Sequence, residues 1–254
     1  MSRKDWREFD QIVSLYTKEY GKIELLARGV KKIVSKNSAH LEPFSNIFVE
    51  SVRGKEIDHL TRVVPILFFP NIRQDLAKSL AAGYAVSFLE KSMETREPDE
   101  RIFDCFLSWL KFVEKQIDFN FILLDGLMIM ILSFFGFQPI IEKCVVCEKA
   151  IKNMIKENLA DSTFNKIGFY FSGGGVICQN CRIKKEEIRE KIFDCGLPEI
   201  SGLQVLLKGD WRVINEFEME EKEKKALHRL VYEFVLFHSE KKITDWAFLA
   251  KMVK

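Results

Sequence analysis

The sequence carries almost no excess of charge of either sign: 39 Lys and Arg stand against 37 Asp and Glu, a formal net charge of +2 over 254 residues. Bulk attraction to a polyanion is therefore excluded as an argument, and any nucleic-acid reading must rest on where the charges lie. An export signal is also missing. Met1-Ser2-Arg3-Lys4-Asp5-Trp6-Arg7-Glu8 has charges but no apolar stretch and no small-residue cleavage site, so a cytoplasmic protein is expected. No unbroken apolar run is long enough for a bilayer. The most apolar stretch, Phe119 to Phe137, contains Asn120, Asp125, Gly126, Ser133 and Gly136, whereas a spanning helix needs about 20 mostly apolar residues with few charges. A helix buried in a protein core is the expectation there. Catalytic signatures are lacking too: no Walker A sequence, G-x-G-x-x-G, G-x-S-x-G or H-E-x-x-H occurs. His40, His59, His228 and His238 are not spaced as ligands of one site, and no carboxylate pair is marked out for acid–base work, so a protein without enzymatic activity is expected. Repeats and low-complexity tracts are absent.

What is present suffices for a sizeable core: 47% of residues are hydrophobic, 22 of them Phe. The first 66 residues read as short strands. Gln11 to Thr17 and Ile23 to Ala27, joined by a turn at Glu19 to Lys22, form one hairpin. Phe44 to Val52 and Ile57 to Val64, separated by Arg53-Gly54-Lys55-Glu56, form another. Four short antiparallel strands suggest a small barrel of the OB-fold kind, which would need a fifth.

After Pro65 and Pro70 the period changes to that of helices. Asn71 is expected to cap a helix from about Ile72 to Met93, Pro98-Asp99 to open a second, and the stretch from Phe119 to Gly136 to form a third. Glu221 to Glu240 places Leu227, Leu230, Val231, Phe234, Val235 and His238 on one face. The expected fold class is α+β: an OB-fold-like β-barrel over residues 1–66, then an all-α helical domain over 67–254 with an inserted Cys₄ zinc ribbon at 144–181.

Four of the six cysteines define that insert. Cys144-Val145-Val146-Cys147 is followed by Cys178-Gln179-Asn180-Cys181. Two such pairs complete the tetrahedral thiolate shell that Zn²⁺ prefers in closed structural sites, with no position left for hydrolytic chemistry. Between them lie a strand candidate, Ile167 to Phe171, and Gly173-Gly174-Gly175, where the chain can turn back. A segment of about 40 residues rarely folds on its own core, and a structural zinc ion covers that deficit. One structural Zn²⁺ is expected; a disulfide set or a mononuclear iron site are the other readings. Cys105 and Cys195 are isolated, and Cys105 is expected to be inert.

Charge is sorted by segment. Residues 1–62 hold 12 Lys and Arg against 9 Asp and Glu, a net +3, and residues 63–143 hold 8 against 11, a net −3. Arg28, Lys31, Lys32 and Lys36 fall in nine residues without an acid, directly after a strand. Lys and Arg clusters dominate phosphate binding, and OB-folds pair them with aromatic faces, for which Trp6, Tyr16 and Tyr20 are candidates. A solvated basic loop with no ligand is the other reading. Lys22 and Trp6 complete the candidate DNA-binding set.

An ordered series of motifs resembles the RecO family over nearly the whole chain: Glu8-Phe9-Asp10 to Tyr20-Gly21-Lys22, Leu26-Ala27-Arg28-Gly29-Val30-Lys31-Lys32, Leu41-Glu42-Pro43-Phe44, Phe69 to Leu76, Phe134 to Pro139 leading into Cys144-x-x-Cys147, and Gly174 to Cys178-x-x-Cys181. The resemblance implies a recombination mediator in DNA repair that works without ATP. It would bind single-stranded DNA, anneal complementary strands, contact the single-stranded DNA-binding protein and, with RecR and often RecF, load RecA, close to the nucleoid. By position, Arg28, Lys31 and Lys32 match a basic stretch of the family's OB-fold. The family's first strand, which precedes the position of Asp5-Trp6, is expected to be missing here: either the start is placed too late or the barrel is open. The reading from another class is a zinc-ribbon scaffold or RNA-binding protein.

Overall fold

The computed structural model describes residues 2–35, 37–152, 167–187, 192–239 and 242–253. It divides into two compact units, Met1–Phe119 with Phe248–Lys254, and Asn120–Ala247.

The first unit begins with five strands: β1 (Ser2–Asp5), β2 (Gln11–Thr17), β3 (Gly21–Ala27), β4 (Ser45–Val52) and β5 (Asp58–Phe68). They lie in one sheet in the order β1-β2-β3-β5-β4. Neighbours are antiparallel except β3 and β5, which run parallel at Leu25↔Asp58 and Leu26↔His59. Alternate residues point inward, as the pleat requires, and Val13, Leu25, Ala27, Leu60 and Val63 form the sheet's core with Val30 and Leu41 from the loop between β3 and β4.

One expectation changes here. Ser2–Asp5 forms a strand where none was expected; it is polar throughout and carries no alternation to read, and its pairing with β2 holds it in place. The barrel is not closed, the open form being one of the two expected: β1 has four residues and pairs with β2, while the sheet's other edge is β4. A further difference is that β5 runs through Pro65 to Phe68. Proline is tolerated because β3 pairs with β5 only at Asp58 and His59, and a register shift between Asn46 and Ile47 on β4 accompanies Pro65.

Helices α1 (Pro70–Gln74), α2 (Leu76–Ser92) and α3 (Glu100–Lys115) belong to the same unit. The single helix expected from Ile72 is broken at Asp75, whose extended backbone ends α1 and whose carboxylate accepts the Lys78 N–H to cap α2. Asn71 is not the cap: Pro70 opens α1, and Asn71 donates from its side chain to the Glu114 carbonyl. Asp99 caps α3 as expected. Polar ties join sheet to helices: Tyr16 donates its hydroxyl to the Asp99 carbonyl, and Lys18 pairs with Asp104. The compact division at 119/120 therefore lies well beyond residue 66. Gly21 makes the approach of the segment before α3 possible: its φ is +62°, and a Cβ there would sit 2.3 Å from the Glu97 carbonyl oxygen.

In the second unit α4 (Ile122–Phe134) is buried almost throughout and is packed by α6 (Leu197–Leu207), α7 (Trp211–Glu216) and α8 (Glu221–His238). The buried face of α8 is Leu227, Leu230, Val231, Phe234 and Val235, as its period implies. A small sheet, β7 (Gly175–Ile177), β6 (Gly168–Tyr170) and β8 (Ile192–Asp194), is followed within its span by α5 (Gln179–Glu187), which begins after β7. β8 lies past the expected end of the insert at residue 181. Phe169 meets the Phe234 ring edge to face and Phe171 stacks with it, so this sheet shares a core with α8. A last helix, α9 (Ala247–Met252), belongs from Phe248 onward to the first unit. Among the described residues no helix is long and apolar enough to cross a membrane.

Candidate metal centre and nucleic-acid interface

The four cysteines of the two C-x-x-C pairs converge in the second unit. Cys144 sits in a tight knuckle: its N–H donates to the Lys149 carbonyl, its carbonyl accepts the Glu148 N–H, both at 2.9 Å, and Glu148 adopts φ +61° to close the turn. The knuckle is tied to the small sheet where Val145 N–H donates to the Val176 carbonyl at 2.9 Å. Gly175 permits this contact and the neighbouring bridge to Ile140, since a Cβ there would lie 2.8 Å from Val145 Cγ1 and would collide with the Ile140 carbonyl oxygen. Cys178 follows β7 directly, and Cys181 lies in the first turn of α5.

All four Sγ atoms lie within 4.8 Å of one another. Cys147 Sγ and Cys178 Sγ are 3.7 Å apart, far beyond a disulfide bond and close to the ~3.8 Å edge of a thiolate tetrahedron built on Zn–S bonds of about 2.3 Å. All six cysteines are free thiols. Burial alone would raise the Cys144 thiol, but N–H groups of Cys147, Cys178 and Val146 converge on its sulfur and bring it to about 7. Burial pushes Cys178 and Cys181 up, and neighbouring sulfurs add to the effect on Cys181. Four soft donors held this closely, some of them resisting ionisation, match what a divalent cation neutralises on binding. The residues fit zinc as the expected closed site. Cys105 and Cys195 stand apart, each pushed up to about 12 by burial, and neither has the electropositive setting of a reactive thiol.

The second candidate site lies at one end of the five-stranded sheet, in the first unit. The β1–β2 turn and the loop after β3 are joined there. Lys31 N–H donates to the Phe9 carbonyl at 3.1 Å, and the Asp10 carboxylate accepts the Gly29 N–H at 2.7 Å. This brings Trp6, Arg28, Lys31 and Lys32 onto one end, all exposed. Arg7, Phe9, Arg28 and Lys32 line a cleft of about 570 Å³ together with Glu8, Asp10 and Gly29. Lys32 Nζ stands 5.4 Å over the Phe9 ring. Lys31 pairs with Asp5 at 2.8 Å, which lowers the Asp5 carboxyl, but both groups face water and such a pair is readily exchanged for a phosphate.

Not every candidate joins this cluster. Lys22 lies near the β2–β3 turn at the opposite end of the hairpin, half-buried, and donates its ammonium to the Glu90 carbonyl at 2.6 Å. Tyr16 is engaged through its hydroxyl with Asp99. Lys36 lies outside the described residues. Arg7 and Phe9 were missed from the sequence, where the adjacent acids Glu8 and Asp10 hide their part in the cleft.

An open, strand-rich N-terminal region followed by a helical region with a four-cysteine cluster defines the class of this molecule: a mixed α+β protein with a metal-ready ribbon. Two family models cover it, Recombination protein O N terminal over residues 1–69 and Recombination protein O C terminal over residues 73–247. The chain belongs to the RecO family. It is 26% identical over 254 residues to the DNA repair protein RecO of Desulforamulus reducens, covering 100% of this chain and 93% of that one. It is 28% identical over 239 residues to that of a Thermoanaerobacter species, covering 92% and 87% of the two chains. A Listeria monocytogenes DNA repair protein RecO is 29% identical over 176 residues, 69% of this chain and 64% of that one.

Proposed function

We propose that the chain is a recombination mediator of DNA repair that binds single-stranded DNA, promotes annealing of complementary strands and, with RecR and in some settings RecF, helps RecA onto DNA covered by single-stranded DNA-binding protein. The observation that carries this reading is the meeting of Trp6, Arg28, Lys31 and Lys32 at one end of the sheet of a RecO-family chain. Flexible cations around a cleft with aromatic rings suit a phosphate backbone whose bases are free to stack. The Cys₄ cluster would hold one structural Zn²⁺, and cytoplasmic work near the nucleoid follows from the reading.

No step in this function needs bond-making chemistry by the protein. It needs a surface that grips phosphates without covering the edges of the bases that must find their complement, and the exposed Arg28, Lys31 and Lys32 supply such a grip. The test is a binding comparison across single-stranded DNA, duplex DNA and RNA, followed by an annealing assay with and without the single-stranded DNA-binding protein. Preference for single-stranded DNA and faster annealing of coated strands is expected. Preference for RNA, or no acceleration, would replace the reading with that of an RNA-binding or scaffold protein.

A further inference from the structure

At the tip of the loop after β3, two apolar β-branched residues stand fully in water: Ile33 is 104% exposed and Val34 84%. The loop that presents them is built. Val30 anchors it in the sheet's core, Lys32 N–H donates to the Gly29 carbonyl at 3.1 Å, and Ser35 N–H donates to the Lys32 carbonyl at 2.9 Å. Ile33 and Val34 thus occupy the two central positions of a turn. Those positions ordinarily take Gly, Asn, Asp or Ser, and stiff apolar side chains there gain nothing for the fold. A single exposed apolar residue needs no explanation, but two in succession, on a turn fixed at its base and following directly on Lys31 and Lys32, do.

We propose that Ile33 and Val34 form an apolar wedge that packs against unstacked bases of a single strand while Arg28, Lys31 and Lys32 hold the flanking phosphates. This rests on the single-stranded DNA reading above and deepens it. Phosphate contacts alone give no preference for the single strand, because the duplex presents the same phosphates at a higher charge density. An apolar tip distinguishes them, since it finds partners only where a base face is available or a step can be opened. The wedge is therefore the element that sets preference for unpaired DNA. The neighbouring cations identify the occupant as a polyanion bearing apolar faces.

The experiment uses the full chain and a single-stranded oligodeoxynucleotide carrying 2-aminopurine, whose fluorescence rises when it leaves the stack. Wild type should bind with a rise in fluorescence. The variant Ile33→Ser with Val34→Ser should bind this probe roughly tenfold more weakly, as loss of partial burial of two side chains implies. Its salt dependence should stay unchanged, its affinity for duplex should be unaltered, and the fluorescence rise should be absent. Both positions face water, so an unchanged melting temperature is expected and confirms folding. A double variant with wild-type affinity and fluorescence overturns the wedge while leaving the DNA reading intact. So does loss of binding to anionic lipid vesicles alone, which would make the tip a membrane contact. Failure of the wild type to bind the probe at all sinks the underlying reading, and the wedge with it.

Discussion

His228 Nδ1 lies 2.8 Å from Asp125 Oδ1, joining α8 to the first turn of the buried helix α4. The other ring nitrogen is 2.9 Å from Asp245 Oδ1, and Trp246 donates its indole N–H to the same Asp125 oxygen at 2.7 Å. Burial by itself would lower the His228 pKa, but the two carboxylates outweigh it and raise the imidazole from 6.5 to about 9. Because the folded value lies above the unfolded one, the stabilisation is fully present below pH ~6.5 and is lost as pH rises through about 9. Melting temperatures measured across that window should fall for the wild type and change less for His228→Ala. At pH 6 the substitution should cost about 3 kcal/mol, roughly 6–12 °C, because Asp125 would remain buried with a charge only partly compensated. Parallel pH profiles for the two proteins would show that the imidazolium contributes nothing.

Removal of the metal should act beyond the ribbon. Phe169 and Phe171 of the ribbon pack against Phe234 of α8, so Cys147→Ser or chelation should speed hydrogen exchange in β6, β7 and the second half of α8. Amides of β2 to β5 should be unaffected, since that sheet belongs to the other compact unit. Elemental analysis should find one zinc per wild-type chain and none in the variant. A folded, reduced wild type without metal, or exchange rates in β6 that ignore the loss of zinc, would refute the assignment.

Much of this architecture was legible because local signals agreed with the tertiary outcome. The run Gln11–Thr17 is rich in β-branched and aromatic residues and is followed by a turn, and β2 spans those same residues; Asp99 precedes an apolar period, and it caps α3. The misses share a cause, which is that a partner distant in sequence decides. Ile72, Leu76 and Leu80 continue one helical period, and only the capping bond from Asp75 shows the break. Ser2–Asp5 has no apolar alternation and is a strand by virtue of β2. Lys22 reads as a cation beside a basic loop until the Glu90 carbonyl is seen to take its ammonium. Asp125 was itself the available clue to the buried cluster, since a carboxylate in the most apolar stretch of the chain requires a partner.

Two glycines should respond to alanine with opposite sign. At Gly21 the positive φ and the Glu97 carbonyl 2.3 Å from the added Cβ make Gly21→Ala destabilising by about 2 kcal/mol or more. Gly83, inside α2, has nothing within 4 Å of an added Cβ. Gly83→Ala should therefore stabilise by about 0.5–1 kcal/mol through helix propensity. Denaturant midpoints with unchanged slopes would measure both, and a common sign would contradict this account.

The basic loop should reveal itself in the salt dependence of binding. If Lys31 and Lys32 each meet one phosphate of a single strand, each contributes about −0.7 to the slope of log affinity against log salt. Changing both to Glu should flatten that slope by about 1.4 and weaken binding to a similar extent for every base sequence, since phosphate contacts position the strand without reading it. Lys31→Glu also places a second carboxylate beside Asp5, which now sits 2.8 Å from the ammonium, so the effect should exceed that of Lys31→Ala. Zinc content and melting temperature should be unchanged. Lys22→Ala is the informative control: its ammonium serves the Glu90 carbonyl, so it should lower stability and leave the slope intact. A Lys31/Lys32 double variant that kept both wild-type affinity and wild-type slope would mean that the stretch is a solvated loop. The strand would then have to be sought on the ribbon, where Lys184 is exposed and Lys185 lies 5.1 Å over the Tyr170 ring.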